Sequence, residues 1–278
     1  MTFLTAMDPQ TGFVDRSAAH KIGLEHREAY NAGEPFPHIM IDDFLPPEII
    51  AKCLEHFHHG GGEAASYSRP QEKQKHEYRP DEMHPELRQL FYSFNSLPFI
   101  KVLENITGIE GLIPDPYFRG AGFHEIRNGG HLSVHADFNH HVSMNLERRI
   151  NLLIYLNADW KPEYGGQLEL WANDMSRCHH SIVPMINRAV IFNTTSFSNH
   201  GNPNPVNHPD GISRKSIALY YYTSTWDETK RSHTTQFRAR PKTEDKIDWA
   251  VKGRELAADL IPPIIQRGLR SLKAKKSN

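Results

Sequence analysis

The stretch GGHLSVHADFNHH, residues 129–141, alternates polar and apolar side chains. From 131 to 138 one face carries His131, Ser133, His135 and Asp137; the other carries Leu132, Val134, Ala136 and Phe138. A period of two is the mark of a strand, because successive side chains leave a pleated backbone on opposite sides. Working outward, RINLLIYLN (149–157), GGQLELW (165–171), RAVIFN (188–193) and RKSIALYYYT (214–223) are also short runs rich in β-branched or aromatic residues. Gly, Pro, Asn or Asp bound them. Such a succession predicts an all-β sandwich or barrel over residues 112–225.

The flanks differ. Residues 1–35 are mixed and polar and read as a loose arm or a short helix. PFPHIMIDDFLPPEIIAKCLEHF (35–57) reads as a strand, a turn at Pro46-Pro47 and an amphipathic helix with Ile49, Ile50, Cys53, Leu54 and Phe57 at helical spacing. Residues 58–82, rich in Gly, Ser and charge, predict a mobile loop, and Tyr67, Arg69, Lys73, Lys75 and Arg79 could make it a lid. A helical period covers 83–108, with Leu87, Leu90, Phe91 and Phe94 on one face. Residues 248–263 read as a helix ended by Pro262-Pro263, followed by the basic tail QRGLRSLKAKKSN. The expected organisation is a support region over 1–111, a β core over 112–225 and a helical extension over 226–278.

The 278 residues suffice for a substantial core. A formal net charge of −1 gives no global attraction to nucleic acid or anionic membrane. No apolar run reaches membrane-span length, and the first ten residues lack a signal-peptide pattern. Cys53 and Cys178 are too few for a disulfide framework. A cytoplasmic location follows as the expectation.

With 18 histidines, a local cluster means little until geometry sorts it. A metal site for oxygen chemistry commonly takes two His and one carboxylate on one face of the ion and leaves the other face open. One strand can supply two such ligands only at i and i+2. Two His-x-Asp pairs occur. His208-Pro-Asp210-Gly211 has turn chemistry and is set aside. His135-Ala-Asp137 sits on the alternating strand, where its polar face either lines a barrel or meets water. His200, just after the apolar run 189–192, could supply a third ligand. Arg214 and Ser216 share a face of the last strand; a buried Arg there would need an anion, and its planar fork suits a carboxylate. A zinc hydrolase built on His131-x3-His135 would need a helix, which the strand alternation disfavours, and no Glu follows His131 as a base.

Taken together, His135-x-Asp137, His200 and Arg214-x-Ser216 resemble the Fe(II)/2-oxoglutarate-dependent dioxygenases, most closely the prolyl 4-hydroxylase-type branch in its bacterial form. RRINLLIYLNADWKPEYGGQLELW (148–171), HGNPNPV (200–206) and Tyr220–Tyr222 add to the likeness. The resemblance implies a mainly β fold with flanking helices around a double-stranded β-helix, the cupin-like jelly roll. It implies Fe(II) held by His135, Asp137 and His200, with 2-oxoglutarate bound through its far carboxylate by Arg214 beside Ser216 and Tyr155. Leu153 would wall the cosubstrate, and Arg149, Asn151 and Tyr220 would face the substrate. L-ascorbic acid binding belongs to the same implied set. The implied activity is hydroxylation of an unactivated C–H bond in a prolyl peptide or a small molecule, with O2 consumed and 2-oxoglutarate decarboxylated to succinate and CO2. Asp137 is present where related halogenases carry a small residue, so hydroxylation is expected. Nucleic-acid demethylation is disfavoured by the charge balance. A jelly-roll module that binds a ligand or metal without catalysis is the alternative, and an intact five-residue set argues against it.

Overall fold

A computed structural model of the chain describes residues 1–57, 65–227, 229–230, 232–245 and 253. The short helices α1 (Arg16–Ala19) and α2 (Arg27–Asn31) lie in the polar arm, yet Leu4, Met7, Val14 and Tyr30 are buried there. Elements of four or five residues carry no period from which that packing could be read. After β1 (His38–Ile41), α3 (Pro47–His56) opens on a proline whose missing N–H is not needed at a helix start. Ile49, Ile50, Cys53 and Phe57 are buried, whereas Leu54 turns to solvent.

Where composition predicts a mobile loop, β2 (Ala65–Arg69) and β3 (Glu72–Tyr78) form an antiparallel hairpin. The helical run 83–108 is divided into α4 (Pro85–Phe94) and α5 (Leu97–Thr107). The break at Asn95-Ser96 precedes Pro98, which is accepted in a first turn but not in a helix interior. Gly108, at φ 74°, ends α5 in the left-handed conformation glycine favours.

The remaining strands are β4 (Ile113–Pro114), β5 (Gly122–Ala136), β6 (His140–His141), β7 (Leu146–Tyr155), β8 (Leu168–Trp171), β9 (Cys178–Ile182), β10 (Ala189–Asn193), β11 (His200–Asn202), β12 (Arg214–Thr223) and β13 (Gln236–Phe237). They pair antiparallel in the order β1-β10-β7-β12-β5-β11-β8-β9, with β3 and β13 added beside β5. The fold is a jelly roll. β5 ties its two walls together: Gly122–Ala136 is one long strand whose first half pairs with β12 and whose second half pairs with β11. Gly129, at φ 77°, lies between the halves. The sheet also takes β1, β2, β3 and β13 from outside 112–225.

β7 shows how the sheet divides its faces. Ile150, Leu152 and Ile154 join the main core with Phe44, Phe91 and Phe94 from the helical side. Asn151, Leu153 and Tyr155 point the other way, into the roll. Two bulges then alter simple alternation. Between β5 and β11, His135 opposes His200 while Leu132 opposes Asn202, three steps against two. Leu132 therefore joins His135 in lining the cavity, and His131 does not. Between β7 and β12, Tyr221 opposes Ile150 while Tyr222 opposes Arg148, one step against two. That brings Arg148 inward in place of Arg149.

Among the described residues, no helix is long and apolar enough to cross a membrane. The helix expected at 248–263 and the basic tail lie outside the described residues.

Candidate active site

His135 is the penultimate residue of β5, Asp137 follows the strand, and His200 opens β11 directly opposite His135. Both imidazoles are held in the same way. Nδ1 of His135 lies 2.9 Å from the carbonyl oxygen of Ser133, and Nδ1 of His200 lies 2.9 Å from that of Ser198. A carbonyl only accepts, so each Nδ1 carries the proton and each Nε2 is left with a lone pair. The two Nε2 atoms face Asp137 at 3.6 Å (Oδ1) and 3.4 Å (Oδ2). One acceptor atom from each residue falls within a 4.8 Å span. Three acceptors converging with no donor between them suit a cation. Imidazole and carboxylate bonds of about 2.1 Å to a first-row divalent ion place neighbouring ligand atoms about 3 Å apart, close to this spacing.

Asp137 is itself supported. Oδ2 accepts from Asn151 Nδ2 at 2.7 Å and lies 3.0 Å from the Arg148 guanidinium. Arg148 is fully buried, donates to Asn151 Oδ1 from Nε (3.1 Å) and Nη2 (2.7 Å), and lies 3.6 Å from the Tyr220 ring centroid and 4.4 Å from that of Phe138. Burial opposes ionisation of Asp137, but the neighbouring Arg148 holds its carboxyl well below the usual range. Burial, and next the neighbouring His135, hold His200 below the ordinary imidazole value.

At the other pole of the same cavity, about 220 Å³ in volume, stands Arg214. It is buried, and Nε donates to the carbonyl oxygen of Gly166 at 2.7 Å. Gly166, at φ 69°, is required there because a Cβ would lie 2.9 Å from Arg214 Cδ. No acid pairs with Arg214 among the described residues. Its guanidinium carbon lies 4.9 Å from the Tyr155 ring centroid, and the buried Tyr155 hydroxyl has no hydrogen-bond partner. Ser216 opposes Tyr155 across the β7–β12 ladder, and Leu153 lines the cavity two residues back along β7. A buried cation and an orphaned hydroxyl side by side call for an anion.

The β2–β3 hairpin closes the remaining side, since β3 runs along β5 from Leu132 to Phe123. It presents charge inward. Lys75, buried, sits between Glu72 (3.4 Å) and Glu77 (2.7 Å), and Arg69 pairs with Glu72. His124 stands 3.8 Å from Glu77, and burial pushes its imidazole down to about 4.

Of the residues named from sequence, His135, Asp137, His200, Arg214, Ser216, Leu153, Asn151 and Tyr220 line one cavity, with Tyr155 packed behind Arg214. Arg149 does not. Its guanidinium reaches Thr223 Oγ1 at 3.3 Å on the outer side, because the bulge reverses the expected parity. His131 contacts the Pro70 carbonyl away from the cavity, His140 stacks on Trp226, and His141 is buried beside Asp115. Arg148 and the hairpin acids went unrecognised. The doubled Arg148-Arg149 was their one local signal, and a strand with inward charges reads as a solvated loop.

Residues 121–222 match the family model described as the 2OG-Fe(II) oxygenase superfamily. Three solved structures are similar in fold. A prolyl hydroxylase from Trichoplax adhaerens, in complex with a hypoxia inducible factor oxygen degradation domain peptide fragment, aligns with a TM-score of 0.56 at 16% identity, covering 77% of this chain and 95% of that one. A prolyl 4-hydroxylase from Phytophthora capsici gives 0.51 at 18% identity, covering 86% and 75%. HygX from Streptomyces hygroscopicus, with nickel, 2-oxoglutarate and hygromycin B bound, gives 0.51 at 9% identity, covering 82% and 98%.

Proposed function

We propose that the protein, whose residues 121–222 match the 2OG-Fe(II) oxygenase family model, hydroxylates an unactivated C–H bond, coupled to decarboxylation of 2-oxoglutarate. One observation carries the reading: a single cavity holds a trio of convergent acceptors at one pole and an acid-free buried arginine at the other. A dicarboxylate cosubstrate spans such a pair of poles, chelating a metal at one end and meeting the guanidinium at the other.

In this reading His135, Asp137 and His200 hold Fe(II), and Arg214, Tyr155 and Ser216 receive the far carboxylate of 2-oxoglutarate, with Leu153 against its methylenes. When bound, iron and 2-oxoglutarate supply the activation of O2, with succinate and CO2 as coproducts. The chain's own part is to orient and to exclude water. Ser133 and Ser198 carbonyls fix both imidazole tautomers. Arg148 and Asn151 keep Asp137 ionised and aimed. Asp137 in the carboxylate position favours hydroxylation over halogenation. Asn151, Tyr220 and the Glu72–Lys75–Glu77 wall face the substrate, and so much inward charge suits a polar substrate better than a purely apolar one. Ascorbate would serve as reductant of the iron.

The test is 2-oxoglutarate turnover. Purified protein supplied with Fe(II), ascorbate and O2 is expected to release succinate, at a low uncoupled rate without substrate. Asp137→Ala is expected to abolish release. Release that persists unchanged in that variant refutes the assignment.

A further inference from the structure

A second cavity, about 480 Å³, adjoins the first. Glu77 and Gly120 line both, so the two meet at that edge. Its other walls include Arg79, Tyr117, Arg119, His141 and Ser143. The charge left unpaired there is positive. Arg79 and Arg119 have no acid partner among the described residues, while Glu77 is committed to Lys75 at 2.7 Å.

Both arginines are presented by built features. Arg119 follows a turn held by Asp115, whose Oδ1 accepts from the Tyr117 N–H and whose Oδ2 accepts from the Arg119 N–H, each at 2.8 Å. Asp115 is buried, and the equally buried His141 backs it at 3.5 Å. The pair has no place in the chemistry above, and holding this turn gives it one. The Arg119 guanidinium lies 5.4 Å from the ring centroid of Phe138, whose ring also meets Arg148 at 4.4 Å. Phe138 therefore bridges the arginine of the second cavity and the arginine beside Asp137. Arg79 is carried by the end of β3, which lies against β5 because residue 122 is glycine: a Cβ there would collide with the Tyr78 carbonyl oxygen.

We propose that the substrate carries an oxyanion, a phosphate or a carboxylate, which Arg79 and Arg119 hold in the second cavity while the carbon to be oxidised lies in the first. Two guanidinium forks that no acid pairs with among the described residues are suited to such a group. The exposed Tyr117 ring at the rim offers a flat apolar contact beside it. The assignment rests on the oxygenase reading for the reacting end, but the anion site can be tested separately.

Inorganic phosphate is the probe, titrated against metal-free protein and followed by its 31P linewidth. Wild type, Arg79→Ala/Arg119→Ala and Arg214→Ala are compared, each with circular dichroism to establish folding. The Arg79→Ala/Arg119→Ala change is expected to weaken phosphate binding about tenfold, as two exposed charge-assisted contacts imply, whereas Arg214→Ala, which removes the separate anion pole of the first cavity, is expected to leave that component in place. Added acetate identifies the natural group: displacement of phosphate at equal concentration indicates a carboxylate site, and retention indicates phosphate. Absence of phosphate binding in wild type, undiminished binding in the double variant, or loss only in Arg214→Ala each overturns the proposal. A parallel titration of wild type with 2-oxoglutarate separates the two readings, because its failure strikes the oxygenase assignment and leaves the phosphate result standing.

Discussion

Replacing Arg148 with Met removes the guanidinium beside Asp137 while leaving an apolar stem between Tyr220 and Phe138. The pair it breaks is 3.0 Å long, with side chains 1% and 11% exposed. Stranding one partner of a buried ion pair costs about 3–5 kcal/mol, and the lost contact with the Tyr220 face adds to that. A net loss of about 4 kcal/mol corresponds to a fall of roughly 8–16 °C in the melting temperature at this chain length. The assay is urea or thermal unfolding in chelator, so that no metal contributes. Asp137→Asn and the double variant complete a cycle. If Arg148 acts by neutralising Asp137, the double variant is more stable than the sum of the single losses implies, by at least about 1.5 kcal/mol. Redox-inert Ni(II) should also raise the melting temperature of Arg148→Met more than that of wild type, since the metal restores the missing charge. Additive single losses, within about 0.5 kcal/mol, would refute the claim that Arg148 holds the carboxylate.

Three further outcomes follow from the same geometry. Arg214→Gln should weaken 2-oxoglutarate binding by roughly 100-fold or more, the cost of burying its carboxylate without the charge, as measured by anaerobic titration; Arg214→Lys should recover part of it, and unchanged affinity in Arg214→Gln would place the carboxylate elsewhere. Gly122→Ala forces a Cβ onto the Tyr78 carbonyl at φ 136°, so it should loosen β3 from β5 and cost about 2–3 kcal/mol, read as lost amide-exchange protection along Glu72–Tyr78; protection equal to wild type would contradict the contact. His124, held at about 4 by burial against about 6.5 when unfolded, must stay neutral in the fold. Its contribution is complete above pH ~6.5 and is lost as pH falls toward ~4, about 3 kcal/mol in all. Unfolding free energies across that window should therefore fall less steeply in His124→Gln, and equal slopes would remove His124 as the cause.

Much of this site is legible in the amino-acid sequence alone. Period-two runs mark strands because one face of each is buried, and His135-Ala-Asp137 stands on the clearest of them. Arg214 could be singled out because a cation buried on one face of a strand needs an anion. What escaped reading has physical causes. Parity fails at a bulge, and bulges leave no residue signature here: one traded Arg149 for Arg148, another His131 for Leu132. The β2–β3 hairpin buries Glu72 and Lys75 against each other, so its charges satisfy one another inside a cavity instead of in water. The N-terminal arm is ordered by long-range contacts, such as Leu4 under Phe44, that no local period reports.

The most direct test of the site is anaerobic addition of Fe(II) and then 2-oxoglutarate to metal-free wild-type protein, monitored for the visible metal-to-ligand charge-transfer band. The expected result is a band that is absent in Asp137→Ala and that needs far more 2-oxoglutarate to develop in Arg214→Ala. A folded wild-type protein that gives no band would contradict the assignment of His135, Asp137, His200 and Arg214 to one metal and cosubstrate site.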